Sequence, residues 1–163
     1  LTEATKLTKG SIYGNFENKE EVALAAFDHN LGIIQQILRS EINKRDSYRE
    51  KLLVFATVYE DFLKHPFPEG GCPILNTAIE ADDTHPLLKK KASDAIMSWK
   101  NSIMQLIKKG IEEGEFDTNE DPEQIALSMI ALIEGAIMIT KATGKLNYRK
   151  MILATVEKMI NEL

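Results

Sequence analysis

Thr8-Lys9-Gly10-Ser11-Ile12-Tyr13-Gly14-Asn15-Phe16, with Lys19 three residues on, is the stretch on which the fold of this chain turns. Thr8 and Ser11 carry short hydroxyls that can cap a helix or reach a phosphate, Lys9 supplies a point charge, and Gly10 permits close approach to another backbone. Tyr13 falls one helical turn after Lys9 on the same face, while Ile12 and Phe16, also four apart, pack inward. One face is suited to touch and the other to anchor. Asn18 and Glu21 make an Asn-x-x-Glu capping pattern, so a second helix is expected from Lys19, with backbone N–H groups and the Lys19 ammonium available to a phosphate. Double-stranded DNA is the partner these residues imply.

Working outward, the same segment resembles the recognition helix of the TetR family of bacterial transcriptional regulators. That pattern is Ser or Thr, a basic residue, Gly, a small residue, an aliphatic, Tyr, two variable positions, Phe and then Lys, and every position is filled here. The resemblance implies an all-α, TetR-like fold. It assigns residues 1–19 to a helix-turn-helix whose first helix is missing, with a long helix over 19–43 as connector and 44–163 as an effector-binding and dimerisation domain. It carries DNA contact onto Thr8, Lys9, Gly10, Ser11, Tyr13, Asn15 and Lys19. Asn15 stands where His or Tyr is usual, and Asn can pair bidentately with adenine, worth roughly 1–3 kcal/mol of discrimination at a base edge. The chain opens on Leu1, inside what reads as a helix over residues 1–6, so an upstream first helix is expected.

A composition of 44% hydrophobic and 28% charged residues over 163 positions is that of a globular chain able to bury a core. The formal charge of −5 excludes a protein that coats nucleic acid indiscriminately. Within residues 1–19 three lysines face two glutamates, a net of +1, so the remainder carries −6 and DNA contact must be local. The single cysteine, Cys72, rules out an internal disulfide and fits a reducing cytoplasm. No apolar run reaches the ~18 residues of a membrane span, and no membrane partner is expected.

Phe27, Leu31, Ile34, Leu38 and Ile42 form one stripe of the long helix, and Leu52, Phe55, Ala56, Tyr59, Phe62 and Leu63 mark the next, which ends at the Pro- and Gly-rich loop 65–71. Pro73 suits the first position of a short helix. Asp83 or Thr84 is expected to cap a longer one, with Leu88, Ala92, Ala95, Trp99, Ile103 and Leu106 facing inward and Gly114 stopping it. Asp121-Pro122-Glu123 starts a helix in which only Glu134 is charged between Ile125 and Ile139, a stretch too short to cross a bilayer and apolar on nearly every side. The last helix, over about 148–162, is also broadly apolar. Two such neighbours predict a homodimer through a four-helix bundle of the C-terminal pair.

No arrangement of nucleophile and base, phosphate-binding glycine loop or His-Glu-x-x-His is present, so no catalysis, cofactor or metal is expected. Asp82 with His85 is the nearest metal-like pair, and capping explains it better. Cys72 falls at a helix start, where positive potential lowers a thiol pKa; a redox switch and simple packing are the two readings. The resemblance places Tyr59, Phe62, Cys72, Asn76, Trp99, Ile103, Met129 and Glu134 around a pocket for a partly apolar small-molecule effector, with Glu134 and Asn76 the polar candidates. The resulting expectation is a ligand-responsive repressor on a pseudopalindromic operator. Its rival is a helical sensing or partner-binding module that does not touch DNA.

Overall fold

Asn18 Oδ1 accepts a hydrogen bond from the Glu21 backbone N–H at 2.9 Å, and the helix so capped, α1, runs Lys19–Ile42. The structure, a computed structural model, describes residues 16, 18–60, 68, 71–81 and 85–163. Among these there are five further helices and no strand: α2 Tyr48–Glu60, α3 Pro73–Glu80, α4 Pro86–Glu112, α5 Pro122–Thr143 and α6 Leu146–Asn161. Thr8, Lys9, Gly10, Ser11, Tyr13 and Asn15 lie outside the described residues, as do Phe62, Asp82, Asp83 and Thr84.

Local chemistry sets most boundaries. Ser47 and Glu50 form a reciprocal capping box before α2, each side chain accepting from the other's backbone N–H at 3.1 and 3.4 Å. Proline opens α3, α4 and α5, where its missing N–H costs nothing. The cap of α4 is His85, whose Nδ1 accepts from the Leu88 N–H at 3.3 Å, in place of the Asp83 or Thr84 expected from propensity. Gly114, at φ +72°, ends α4 by sending its N–H to Ile111 O while the Glu115 N–H returns to Gly110 O, a Schellman stop. Gly144, at φ +71°, turns the chain between α5 and α6 in the same left-handed conformation.

The short turn makes α5 and α6 antiparallel neighbours; α2 and α6 pack together, α4 lies between α2 and α5, and α1 crosses α2, α3 and α4. Leu52, Ile103, Ile107, Ile125, Met129, Ile133, Leu153, Val156 and Ile160 are fully buried at the centre. At 22 residues with a mean hydropathy of 1.8 over its most apolar window, α5 is long and apolar enough to cross a membrane by length and composition. The expectation that its apolar stretch is too short therefore fails on length. Its apolarity goes into packing, since Ile125, Met129, Ile133 and Ile137 are buried between α4 and α6.

One corner ties the ends of three helices, α2, α4 and α6. The Glu115 carboxylate accepts from the N–H groups of Tyr48 and Arg49, both at 2.7 Å, at the start of α2. Arg49 donates to Ile160 O and lies 5.1 Å from the centroid of the Phe116 ring, and the Asp117 N–H reaches Leu163 O at 2.8 Å. The buried Phe116 ring covers Gly110 so closely that a Cβ there would meet ring carbons at 2.1 and 2.2 Å. Alanine normally gains about 1 kcal/mol over glycine inside a helix. Here overpacking, typically about 1–3 kcal/mol, opposes that gain. Gly110→Ala is expected to lower the urea midpoint of unfolding, and adding Phe116→Leu is expected to recover part of the loss; an unchanged or raised midpoint in the single variant contradicts the packing account.

Candidate functional site

The apolar stripe of α1 does not close completely on the rest of the protein. Between α1, α2, α3 and α4 lies a cavity of about 450 Å³, within the usual size for a small-molecule site. Leu31, Ile34 and Leu38 wall it from α1, Phe55 and Tyr59 from α2, Ile74 from α3, and Ala95 and Trp99 from α4. Tyr59 and Trp99 stack with ring centroids 5.8 Å apart and planes inclined by 23°, and the Phe55 ring centroid is 6.5 Å from that of Trp99. The polar lining is Gln35, Arg39 and Asn43 on the α1 side and Ser98 and Ser102 on α4. Gln35 and Arg39 are four apart, as are the two serines, so each pair shares one edge of its helix.

Trp99 is the chain's one tryptophan and is 8% exposed, yet its Nε1 has no acceptor among the described residues. A buried donor left so costs about 1–3 kcal/mol. No acidic residue lines the cavity, and Arg39 has no ion pair among the described residues.

Beside this site is a separate polar cluster. The Cys72 thiol, at the start of α3, donates to Glu134 Oε1 on α5 at 2.9 Å, and Glu134 Oε2 has no partner among the described residues. Burial raises the thiol well above its ordinary range, and the charge and hydrogen bond of Glu134 raise it further. The expectation of a thiol activated by a helix start is thus overturned: loss of water and a neighbouring carboxylate outweigh the helix's positive end, and the neutral thiol is a poor nucleophile. Glu134 is itself raised by burial, with the thiol's hydrogen bond acting in the opposite direction. Tyr59 is raised by burial and then by the charges of Cys72 and Glu134, which places its phenol next to this cluster while its ring faces the cavity.

Of the anticipated ligand contacts, Tyr59 and Trp99 line the cavity, whereas Ile103 and Met129 lie wholly inside the core. Cys72, Asn76 and Glu134 are not among the lining residues. Leu31, Leu38, Arg39, Ser98 and Ser102 were not anticipated; the only signal for them is that their positions continue the inward stripes of α1 and α4. Lys19 is exposed at the first position of α1. The first half of α1 is joined to α4 by Lys91 Nζ on both Asp28 oxygens at 2.6 and 2.7 Å, and His85 Nε2 lies 3.8 Å from Glu20 Oε1. Among the described residues no group of three or more His, Cys, Asp or Glu side chains is placed to hold a metal.

Residues 49–156 match the family model described as "Tetracyclin repressor-like, C-terminal domain". A TetR-family transcriptional regulator from Cytophaga hutchinsonii is 52% identical and superposes with a TM-score of 0.92, over 99% of this chain and 81% of that one. A TetR transcriptional regulator from Chloroflexus aurantiacus is 34% identical with a TM-score of 0.90 over the same shares. The fatty acid metabolism regulator protein of Bacillus subtilis is 24% identical over 154 residues, which cover 94% of this chain and 75% of that protein.

The raised carboxyl of Glu134 has a consequence for stability. As pH rises through the ordinary glutamate range, near 4.3, the unfolded chain gives up a proton that the folded state still holds. Glu134 therefore contributes stability below that range and loses it as pH rises through the folded value. Glu134→Gln keeps an acceptor for the thiol and cannot ionise. Its urea midpoint is expected to match the parent below about pH 4 and to exceed it near pH 7; a midpoint at pH 7 equal to or below the parent's contradicts this.

Proposed function

Because this chain belongs to the TetR family of transcriptional regulators, we propose that it is a repressor that holds a pseudopalindromic operator as a homodimer and lets go when a small molecule fills the cavity. Residues 1–19 are the reading head, with Thr8, Lys9, Gly10, Ser11, Tyr13, Asn15 and Lys19 on the DNA. Helix α1 is the connector, and residues 44–163 form the sensing and dimerising domain. The protein works in the cytoplasm and carries out no reaction.

The observation that supports this reading is that the helix walling the cavity begins directly after the segment proposed to read DNA. At 24 residues α1 is about 36 Å long. Pivoting such a rod by about 5° moves its far end about 3 Å, enough to spoil the fit of two recognition helices set about one turn of DNA apart, roughly 34–36 Å. Filling the space between α1 and α4 favours one placement of the rod over another. By linkage, the factor by which effector weakens DNA binding is the factor by which DNA weakens effector binding.

Dimerisation is supported by what α5 and α6 leave uncovered. Leu127 is 47% exposed, Met138 48% and Met151 66%, and the small Ala131 and Gly135 between the first two allow another helix to approach closely. The pair from each subunit would complete a four-helix bundle.

In a gel-shift assay on DNA upstream of its own gene, specific binding is expected, weakened about ten-fold or more by Lys9→Ala or Tyr13→Ala, as loss of a base or phosphate contact requires. Absence of specific binding would favour a sensing module that does not touch DNA. Independently, Leu127→Glu combined with Met138→Glu is expected to give monomers by light scattering and to abolish tight operator binding; a dimer that survives both charges rejects the α5 and α6 interface.

A further inference from the structure

The cavity's wall is chemically one-sided. Among the described residues Arg39 is the one charged side chain in the lining, it has no ion pair, and no carboxylate stands beside it. A cationic ligand would meet a positive charge and find no counter-charge, whereas an anion finds a planar fork of donors suited to two parallel hydrogen bonds with a carboxylate. The other polar lining residues, Gln35, Asn43, Ser98 and Ser102, are uncharged, and the apolar lining includes Leu31, Ile34, Phe55, Tyr59 and Trp99. The unpaired carboxylate oxygen of Glu134 lies outside this lining and does not reverse its sign.

We propose that the effector is a carboxylic acid with a compact apolar body, its carboxylate on Arg39 and its body against the Tyr59 and Trp99 rings. The assignment rests on the cavity being the effector site. Arg39 is exposed, so its share of the affinity is screened by salt, while the ring contacts are not. Because Trp99 is the only tryptophan, its fluorescence reports occupancy of this cavity alone.

The test is a fluorescence titration of the whole chain with 4-phenylbutyrate and with its uncharged amide, which share one apolar body. The acid is expected to bind about ten-fold more tightly than the amide, a preference that shrinks with added salt. Arg39→Ala is expected to bring the acid down to the affinity of the amide and to leave the amide unchanged, which also shows that the variant is folded; Arg39→Lys is expected to fall between. Equal binding of acid and amide by the parent, an Arg39→Ala variant that weakens both alike, or no saturable change with the acid overturns the proposal. Operator release separates the two readings. If the acid binds as described yet leaves the operator occupied, the ligand assignment stands and the ligand-released repressor falls. If an amine or the amide releases the operator and the acid does not, the repressor stands and the acid assignment falls.

Discussion

The stack of Tyr59 on Trp99 joins α2 to α4, and the cavity is arranged around it. Two aromatic rings bury more area than any aliphatic pair and prefer an offset or tilted contact to a loose one. Their edges are shared out economically. One side joins the core through Phe55 and the neighbouring Ile103, while another is left as cavity wall because α1, which crosses above, brings only a narrow stripe of side chains down to it. The cavity is thus a result of packing rods of fixed shape over large rings. The Trp99 N–H, shut off from solvent and without an acceptor among the described residues, is a cost of the same packing.

The Tyr59 phenol links this wall to the Cys72 and Glu134 pair, and the contrast between the two polar regions is instructive. Arg39 keeps its charge at an exposed edge, where solvation is cheap. Glu134 sits within α5 with one oxygen paired to a thiol and the other to nothing among the described residues, so burial pushes it toward its neutral form. An exposed charge and a buried hydrogen-bonded pair lie within one small domain. The same comparison explains Cys72. A helix's first turn offers a fraction of a positive charge, and that is too little to hold a thiolate deprived of water beside a carboxylate.

How far the sequence foretold this depends on the range over which each interaction acts. Asn18, Pro73, Gly114 and Asp121 act on backbone within four residues, and the helix ends they predict are where they were expected. The cap of α4 is His85 and not the Asp83 or Thr84 expected, imidazole being a rarer cap than either. The Ser47 and Glu50 box was readable on the same rule as Asn18. The failures at greater range share one cause. Glu134 is 62 positions from Cys72, so nothing near the thiol announces the group that raises it. Cavity-lining residues on α1 have the same periodicity as core residues, and periodicity reports which side of a helix faces inward, never whether the space there is filled. The resemblance supplied a pocket and aromatic residues to look for, and Tyr59 and Trp99 do line the cavity, but it was silent on Arg39 because a ligand's charge is a property of one protein and not of the fold.

Helix α1 is lightly held, as the connector role proposed for it requires. Three of its 24 residues are buried, Val22, Phe27 and Ile34, whereas eight of the 22 in α5 are. Free energy to hold a helix comes mainly from such side chains, so α5 is a fixed post and α1 a rod resting on a few contacts. The polar ties between α1 and α4 do not change that ranking. Asp28 and Lys91 meet at the surface, where an ion pair contributes about 0–1 kcal/mol, little more than thermal energy. Such a pair can direct the rod without locking it. Contacts added along Leu31, Ile34 and Leu38 would compete with few restraints on α1. The asymmetry between α1 and α5 leaves α1 the more easily displaced of the two, which is what the proposed switch requires.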